Sequence, residues 1–356
     1  MLTDTEKQFI SSALAPSRQP RQVLRVLLDR MAPGQAEADA VPRLERRIAE
    51  LLGKPAAAMF PSGTMAQQVA MRIHADRRGI RTVAFHPQCH LETHEHKGYA
   101  VVHGLAASLV GGPFSLIQLS DLEELREPIA ALLLELPQRD IGGQLPSWAD
   151  LVAQTGWAGE RGAAVHMDGA RLWEAQPFYD RSHAEIAALF DTVYVSLYKG
   201  LMGIAGAMLA GEQDLVDHAR IWRDRLGGAV DRAWPMAALA ERGLDVLLPR
   251  MAEFTARARE LAAALTELPG VRVVPDPPQT PMFHLHVDAA PTAVSEASVW
   301  LAERGGLVPP RYTWPATSPW QSRFELNVSE QLDEVSNEQV VALFAELLDR
   351  ARGQKS

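Results

Sequence analysis

Hydrophobic residues recur along the first two thirds of the chain in two alternating patterns. One is amphipathic and helical: within Val41–Leu52, Leu44 and Ile48 fall on one stripe, and Gly53 follows as a helix stop. The other consists of short apolar runs, which are typical of buried strands. We predict such strands at Ala56–Phe60, Arg81–Phe85, Ala131–Leu136, Ala163–Met167, Thr192–Leu197 and Ala205–Ala210. Because helical segments such as Met65–Arg77 separate these strands, the pattern predicts a mostly parallel sheet covered by helices.

The last third of the chain has a different pattern. A helical segment runs from Arg232 to Leu268, and shorter elements follow it. We predict strands at Val271–Val274, Met282–Val287 and Arg323–Val328, and helices at Val294–Arg304 and Glu334–Arg350. The chain is therefore expected to be an α/β protein with a large domain over residues 1–240 and a small α+β domain over residues 241–356.

Composition limits the classes of partner. The net charge of −9 argues against binding to nucleic acid or to an anionic membrane surface. A single cysteine, Cys89, excludes an internal disulfide and indicates a reducing compartment, so we expect a cytoplasmic protein. No apolar run is long enough to span a bilayer, and the first residues lack the features of a secretion signal.

A lysine stands where a predicted strand gives way to a turn. The apolar run Thr192–Leu197 is followed by Lys199 and Gly200. A lysine amine that is partly removed from water at such a position suits Schiff-base chemistry. On this fragment alone, a solvated lysine at a strand end is the commoner explanation.

Two further segments place polar groups at strand ends. Asp168 follows a buried strand, where a carboxylate suits a cationic ring nitrogen or caps the next helix. Ser62, Gly63 and Thr64 open a helix, where free backbone N–H groups bind an anion or a side chain simply caps the helix. An anion cradle, an acid and a lysine together match the needs of pyridoxal phosphate.

Histidines cluster after the second predicted strand. Imidazoles and carboxylates in one stretch indicate either a metal site or a set of hydrogen bonds along a helix near the site, and we favour the second. The residues are His86, His90, His94 and His96, with Glu92 and Glu95 among them.

Three motifs together resemble one enzyme family. Residues 62–65, 166–171 and 196–200 occur in the same order in the low-specificity threonine aldolases and related β-eliminating lyases, with the lysine 31 residues after the aspartate. The resemblance covers most of residues 39–228. It implies the aspartate-aminotransferase-like fold of fold-type-I pyridoxal-phosphate enzymes, with a seven-stranded sheet in the large domain. Because family members pair their active sites across subunits, it also implies a homodimer or homotetramer.

The resemblance also implies roles for single residues. For the cofactor, Lys199 forms the Schiff base, Asp168 pairs with the pyridine nitrogen, and Ser62, Gly63 and Thr64 hold the phosphate. The expected remaining contacts are His90 stacked on the cofactor ring within reach of the substrate hydroxyl, Arg171 near the phenolic oxygen or the substrate carboxylate, and Arg323 as a carboxylate clamp.

The sequence departs from the family at three places. Gln138 stands where the family usually has a second histidine, and glutamine cannot exchange a proton at neutral pH. His90 is therefore expected to act alone or through water, with Gln138 as a substrate contact. A usual Ser-Asp-Thr signature is missing from Arg18 to Pro33, and Asp231 replaces an arginine directed to the phosphate.

The expected activity is cleavage of a β-hydroxy-α-amino acid, threonine-like or phenylserine-like, to glycine and an aldehyde. Another reaction at the same cofactor, such as β-elimination, racemisation or transamination, is the nearest alternative. A cofactor-binding homologue without turnover and a metal-dependent hydrolase built on the histidine cluster are alternatives from other classes.

Overall fold

The computed structural model describes residues 20–30, 39–303, 313–315 and 320–353. These residues divide into two compact units, one within Gln19–Pro249 and one within Arg250–Ser356. Within the described ranges, no helix combines the length and the apolar character needed to cross a membrane. Most of the segment that lacks the Ser-Asp-Thr signature falls on the helix Pro20–Arg30, and the rest of it lies outside the described residues, as does the predicted helix end at Arg304.

The larger unit is built on a seven-stranded sheet. Its strands are β1 (Ala56–Phe60), β2 (Thr82–Phe85), β3 (Ala106–Leu109), β4 (Ala131–Glu135), β5 (Ala164–Gly169), β6 (Thr192–Ser196) and β7 (Ala207–Gly211). Their order across the sheet is β1-β7-β6-β5-β4-β2-β3. Only β7 runs antiparallel to its neighbours, so the predicted mostly parallel sheet is confirmed.

Along the chain, helices precede, separate and follow the strands of this sheet. They are α1 (Pro20–Arg30), α2 (Ala40–Leu52), α3 (Gly63–Arg78), α4 (His90–Thr93), α5 (Gly98–Val101), α6 (Leu119–Glu123), α7 (Trp148–Glu160), α8 (Leu172–Tyr179), α9 (His183–Ala187), α10 (Gln213–Arg225) and α11 (Trp234–Arg242). Strands β1, β6 and β7 are buried along their whole length. Such two-sided burial explains why these strands are continuous apolar runs in the sequence.

Several elements were not predicted from the sequence, among them the edge strand β3 and the helix α1. The edge strand β3 is largely exposed, so its sequence has no continuous apolar run. Helix α1 is also mostly exposed and lies before the first predicted element. The helical pattern from Arg232 to Leu268 becomes two α-helices separated by a π-helical turn at Gly243–Leu247 and a 3-10 turn at Leu248–Arg250.

The smaller unit contains a four-stranded antiparallel sheet and three helices. Its elements are α12 (Met251–Thr266), β8 (Val271–Val274), β9 (Met282–Val287), α13 (Pro291–Glu303), β10 (Thr313–Pro315), β11 (Ser322–Asn327) and α14 (Asn337–Ala351), with strand order β10-β11-β9-β8. Phe324 of β11 packs edge-on against Phe344 of α14, with ring centroids 5.4 Å apart. This is the small α+β arrangement that the strands and helices predicted for the last third of the chain indicate.

Candidate active site

The predicted site residues of the larger unit meet at one edge of its sheet. Strands β1, β2, β4, β5 and β6 point the same way, so their carboxyl ends share this edge. Ligands of parallel sheets bind beyond such an edge. The side chains found there are Ser62 and Gly63 after β1, His90 after β2, Glu135 at the end of β4, Asp168 near the end of β5 and Lys199 after β6.

Two carboxylates lie side by side at the centre of this edge. Asp168 and Glu135 are register partners on neighbouring parallel strands. Asp168 is only 2% exposed, and its Oδ1 accepts a hydrogen bond from the N–H of Ala170 at 3.0 Å. Burial raises the pKa of Asp168, against the opposing positive charges of Lys199 and His90. A buried carboxylate in this position gains most from a cation placed against it.

Glu135 is held by two donors from the loop that follows β4. Its Oε2 accepts a hydrogen bond from Nε2 of Gln138 at 3.0 Å, and its Oε1 accepts one from the N–H of Arg139 at 3.1 Å. Burial and the neighbouring charges of Asp168 and Asp140 raise the pKa of Glu135 well above its usual range. A negative charge on Asp168 therefore disfavours a second negative charge on Glu135 at the same edge.

Lys199 lies in a tight turn directly after β6. Oγ of Ser196 accepts hydrogen bonds from the N–H groups of Tyr198 and Lys199 at 3.2 and 3.3 Å, which fixes the backbone of the turn. Burial and the charge of Arg171 lower the pKa of Lys199 from its ordinary 10.5, while Asp168 opposes this shift. A lowered pKa leaves more of the amine unprotonated and nucleophilic.

The buried guanidinium of Arg171 is paired with an acid of its own helix. Arg171 is 4% exposed, and its Nη1 lies 2.9 and 3.1 Å from the two carboxylate oxygens of Glu174. This ion pair holds Arg171 beside the turn of Lys199 and offsets part of its charge.

The predicted anion cradle lies at the start of helix α3. Ser62 caps the helix, because its Oγ accepts a hydrogen bond from the N–H of Met65 at 3.2 Å. Within the described part of the chain, the N–H groups of Gly63 and Thr64 have no hydrogen-bond partner, so they remain available at the positive end of the helix. Gly63 is required here, because a Cβ would lie 2.1 Å from Oη of Tyr194.

His90 opens the one-turn helix α4 and is oriented by a buried acid. Its Nδ1 lies 2.9 Å from Oε1 of Glu95, whose other oxygen accepts a hydrogen bond from Nε2 of Gln68 at 2.8 Å. Glu95 and Gln68 are both buried. This chain of contacts favours the tautomer in which Nδ1 carries the proton and Nε2 accepts one.

Comparison with known proteins places the chain in a family. The family model for β-eliminating lyases matches residues 32–290. The chain belongs to the β-eliminating lyase family. Enzymes of this family depend on pyridoxal 5′-phosphate, and so does this chain.

Solved structures and curated relatives agree with this membership. A protein assigned as an L-allo-threonine aldolase from Listeria monocytogenes is 35% identical, with a TM-score of 0.87 over 97% of this chain and 99% of that one. A protein from an Exiguobacterium species, assigned as an aromatic amino acid β-eliminating lyase or threonine aldolase, is 36% identical, with the same TM-score over 96% and 99%. The low-specificity L-threonine aldolase 1 of Arabidopsis thaliana is 27% identical over 75% of this chain and 77% of its own length. The fold is therefore that of fold-type-I enzymes, as the sequence predicts.

The residues at the sheet edge fit this cofactor. A buried carboxylate, Asp168, suits a cationic ring nitrogen, and the amine of Lys199 has a lowered pKa. The open N–H groups of Gly63 and Thr64 suit a phosphate at the start of a sixteen-residue helix. The donor set thus contains the three chemical groups that pyridoxal phosphate requires.

Gln138 is a buried residue of the site that donates hydrogen bonds to two other residues of the protein. Gln138 is 3% exposed, and its Nε2 donates to the carbonyl of Gln88 at 3.1 Å and to Glu135 at 3.0 Å. Both donor directions of the amide nitrogen therefore serve the protein itself. In this structure Gln138 fixes Glu135, and its role as a substrate contact stays a prediction.

The other histidines surround α4 instead of lining a helix, because α4 has only four residues. Nε2 of His86 lies 2.9 Å from the carbonyl of Ser115, and Nε2 of His94 lies 2.7 Å from Oδ2 of Asp140. His96 has a left-handed backbone conformation with φ of 51°. Within the described residues, no three potential ligands are grouped in a way that would hold a metal ion.

Arg323 lies in the smaller unit. It is on β11, in register with His286 of β9. Its predicted role as a carboxylate clamp is untested by these contacts.

Sequence reasoning missed several residues that shape the site. Glu135 had a detectable signal, because it ends a buried apolar strand as Asp168 does. Gln68 and Asp140 had none, because Gln68 binds Glu95 and Asp140 binds His94 from distant segments of the chain. Glu95 was visible only as one acid among several in the histidine-rich stretch.

Proposed function

We propose that this protein is a pyridoxal-phosphate-dependent lyase that cleaves the Cα–Cβ bond of β-hydroxy-α-amino acids to give glycine and an aldehyde. One observation carries the proposal: a buried aspartate and a lysine of lowered pKa meet at the sheet edge where β5 and β6 end. Family membership and the threonine aldolase names of the relatives support this reaction over others of the same cofactor.

Five residues are proposed to hold the cofactor. Lys199 would supply the amine for the cofactor aldehyde, and the carboxylate of Asp168 would pair with the ring nitrogen. Ser62, Gly63 and Thr64 receive the phosphate at the start of α3. When bound, the cofactor supplies an extended π system that takes up the electron pair of the broken bond.

The remaining groups are proposed to act on the substrate. His90 would stack on the cofactor ring and accept the proton of the β-hydroxyl at Nε2, because Glu95 binds its Nδ1. Arg171 is the proposed partner of the cofactor's phenolic oxygen or of the substrate carboxylate. Arg323 is the proposed clamp of the substrate carboxylate, and Gln138 a further substrate contact. Together these contacts would hold the breaking bond perpendicular to the cofactor plane.

The setting of the enzyme follows from the same resemblance. We propose a cytoplasmic homodimer or homotetramer, because family members pair their active sites across subunits. The single buried cysteine agrees with a reducing compartment.

Reduction of the holoenzyme with borohydride tests the assignment of the lysine. We expect peptide mapping to find the reduced cofactor on Lys199, and on none of the other lysines of the chain, which are Lys7, Lys54, Lys97 and Lys355. Lys199→Ala should lose the absorbance of the covalently bound cofactor. A label on another lysine, or an unchanged spectrum of this variant, would show the assignment to be wrong.

The reaction itself is tested by product analysis. The holoenzyme should release glycine and an aldehyde from threonine or phenylserine, and should form the same amino acids from glycine and added aldehydes. His90→Ala should keep the bound cofactor and lose most of the cleavage, by a factor of about 10² or more. Ammonia and a keto acid as the products would favour β-elimination instead.

A further inference from the structure

A second histidine–carboxylate pair lies beside His90. Nε2 of His94 is 2.7 Å from Oδ2 of Asp140, and Oγ1 of Thr93 lies 3.5 Å from the same oxygen. The side chain of Asp140 is 11% exposed, whereas that of His94 is 31% exposed. An acid that is mostly buried and bound to one ring nitrogen of an accessible imidazole orients that imidazole for proton transfer.

The two imidazoles are neighbours with complementary open nitrogens. The ring centroids of His90 and His94 are 5.1 Å apart, with the planes tilted by 43°. Glu95 is hydrogen-bonded to Nδ1 of His90, and Asp140 is hydrogen-bonded to Nε2 of His94. The other two ring nitrogens, Nε2 of His90 and Nδ1 of His94, have no partner within the described residues. Rings whose centroids are this close bring their nitrogens within the span of one water molecule, and a proton passes between nitrogens at such a span.

The second pair is also connected to the cofactor edge of the sheet. The charge of Asp140 helps to raise the pKa of Glu135, which is the register partner of Asp168. Asp140 lies two residues after Gln138 on the loop that follows β4. This loop therefore carries Gln138, which cannot exchange a proton, and two residues later Asp140, which binds the imidazole of His94.

We propose that His94, oriented by Asp140, is a proton relay that acts through His90. This inference rests on the proposed cleavage reaction and adds a residue to it. It also adds a second imidazole to the expectation that, with Gln138 in place of the second histidine, His90 acts alone or through water.

The relay moves one proton and no electrons. The O–H bond of the β-hydroxyl breaks, and its proton forms an N–H bond at Nε2 of His90. As the Cα–Cβ bond breaks, its electron pair stays with the glycine fragment and the hydroxyl oxygen becomes the aldehyde carbonyl. The proton then passes from Nε2 of His90 to Nδ1 of His94, where the resulting imidazolium is paired with Asp140.

His94→Gln tests the relay against a matched control. We expect kcat for cleavage to fall by about 10²-fold, with KM and the absorbance of the bound cofactor unchanged. Exchange of the α-hydrogen of glycine with solvent should keep its parent rate, because glycine has no β-hydroxyl. The control is His96→Asn, which removes an exposed imidazole of the same loop and places a residue that tolerates its positive φ; it should behave as the parent.

The tautomer of His94 gives a readout that does not depend on turnover. In ¹⁵N-histidine-labelled holoenzyme, the signals that His94→Gln removes should report a neutral ring protonated at Nε2. Asp140→Asn should lose this fixed tautomer and should lower kcat while leaving glycine exchange intact. A ring protonated at Nδ1 in the parent would overturn the relay, since that nitrogen could not receive a proton.

The outcomes separate the relay from the reaction on which it rests. A parent enzyme that cleaves no β-hydroxy amino acid would overturn the proposed function and the relay with it. If the parent cleaves and His94→Gln cleaves as fast, only the relay is wrong. Equal losses of cleavage and glycine exchange in His94→Gln would assign the residue a structural role instead.

Discussion

At the scale of single residues, burial shifts the lysine and its neighbouring acid in opposite directions. Desolvation disfavours the charged form of each group, so it lowers the pKa of Lys199 and raises that of Asp168. Each charge stabilises the other and opposes these shifts. The site thereby holds an amine that is easily deprotonated beside a carboxyl group that gains from a cationic ring nitrogen.

The pH dependence of cofactor capture tests this coupling. Only the unprotonated amine of Lys199 reacts, so the rate at which the apoprotein binds pyridoxal phosphate covalently should rise with pH. Because the pKa of Lys199 is lowered, this rate should reach its plateau before pH 10.5. Asp168→Asn removes a charge that raises the pKa of Lys199, so its plateau should begin at a still lower pH. Stopped-flow absorbance measures both curves.

A surface aspartate provides the control for this experiment. Asp150 lies in the first turn of α7, where its Oδ2 accepts a hydrogen bond from Oγ of Ser147 at 2.6 Å. Asp150→Asn should reproduce the parent curve. A plateau that moves to higher pH in Asp168→Asn would contradict the proposed coupling.

At the scale of elements, the start of α3 depends on close packing against β6. Tyr194 of β6 places its hydroxyl where a side chain at position 63 would begin, and only glycine leaves room. The helix therefore presents bare N–H groups instead of side chains to an anion. Burial raises the pKa of Tyr194, so its ring remains neutral beneath this site.

Gly63→Ala tests the cradle. The added Cβ must displace the ring of Tyr194 or shift the helix start, so we expect the dissociation constant of the cofactor to rise at least tenfold, or about 1.4 kcal/mol. Equilibrium dialysis with pyridoxal phosphate measures this change.

Another helical glycine gives the matched control for the same substitution. Gly156 lies in α7, with no atom within 4 Å of a Cβ built on it. Gly156→Ala should leave cofactor binding unchanged and stabilise the helix by up to about 1 kcal/mol. Equal cofactor affinity in the two variants would refute the requirement for glycine at position 63.

At the scale of the whole molecule, a buried polar cluster joins helix α3 to the sheet of the larger unit. Oγ1 of Thr192 lies 2.8 Å from Nε2 of His74 and 2.8 Å from Nδ1 of His166. Burial lowers the pKa of His74 to about 4 and that of His166 well below its ordinary value. Both imidazoles are therefore neutral in the folded protein.

Acid should destabilise the larger unit through these histidines. The pKa of His74 is lower in the folded state than in the unfolded state. The contribution of neutral His74 to the free energy of unfolding is therefore complete above pH 6.5 and is lost as the pH falls toward 4. The loss is roughly 3 kcal/mol for His74. His74→Gln should therefore show a smaller fall in unfolding free energy between pH 6.5 and 4, measured by urea titration. His218→Gln, which changes an exposed imidazole of α10, should fall as the parent does; an identical fall in all three proteins would contradict this account.

Much of the fold, and the residues proposed to hold the cofactor, could be predicted from the sequence, because both follow from local patterns. Continuous apolar runs identify strands that are buried on both faces, and parallel strands bring their carboxyl ends together. Asp168, Lys199 and Gly63 could be found for this reason: each stands immediately beyond a recognisable strand. The exposed edge strand β3 gave no such signal.

Only the tertiary structure decided which partners complete the site. Glu95 and Asp140 bind the imidazoles of His90 and His94, and Gln68 binds Glu95, through contacts that join segments up to 46 residues apart in the chain. No local pattern encodes such contacts, because hydrogen bonding between side chains depends on where the folded backbone places them. The sequence by itself determined the strand ends and the chemical groups that they carry, whereas the folded loops determined which nitrogen of each histidine stays open.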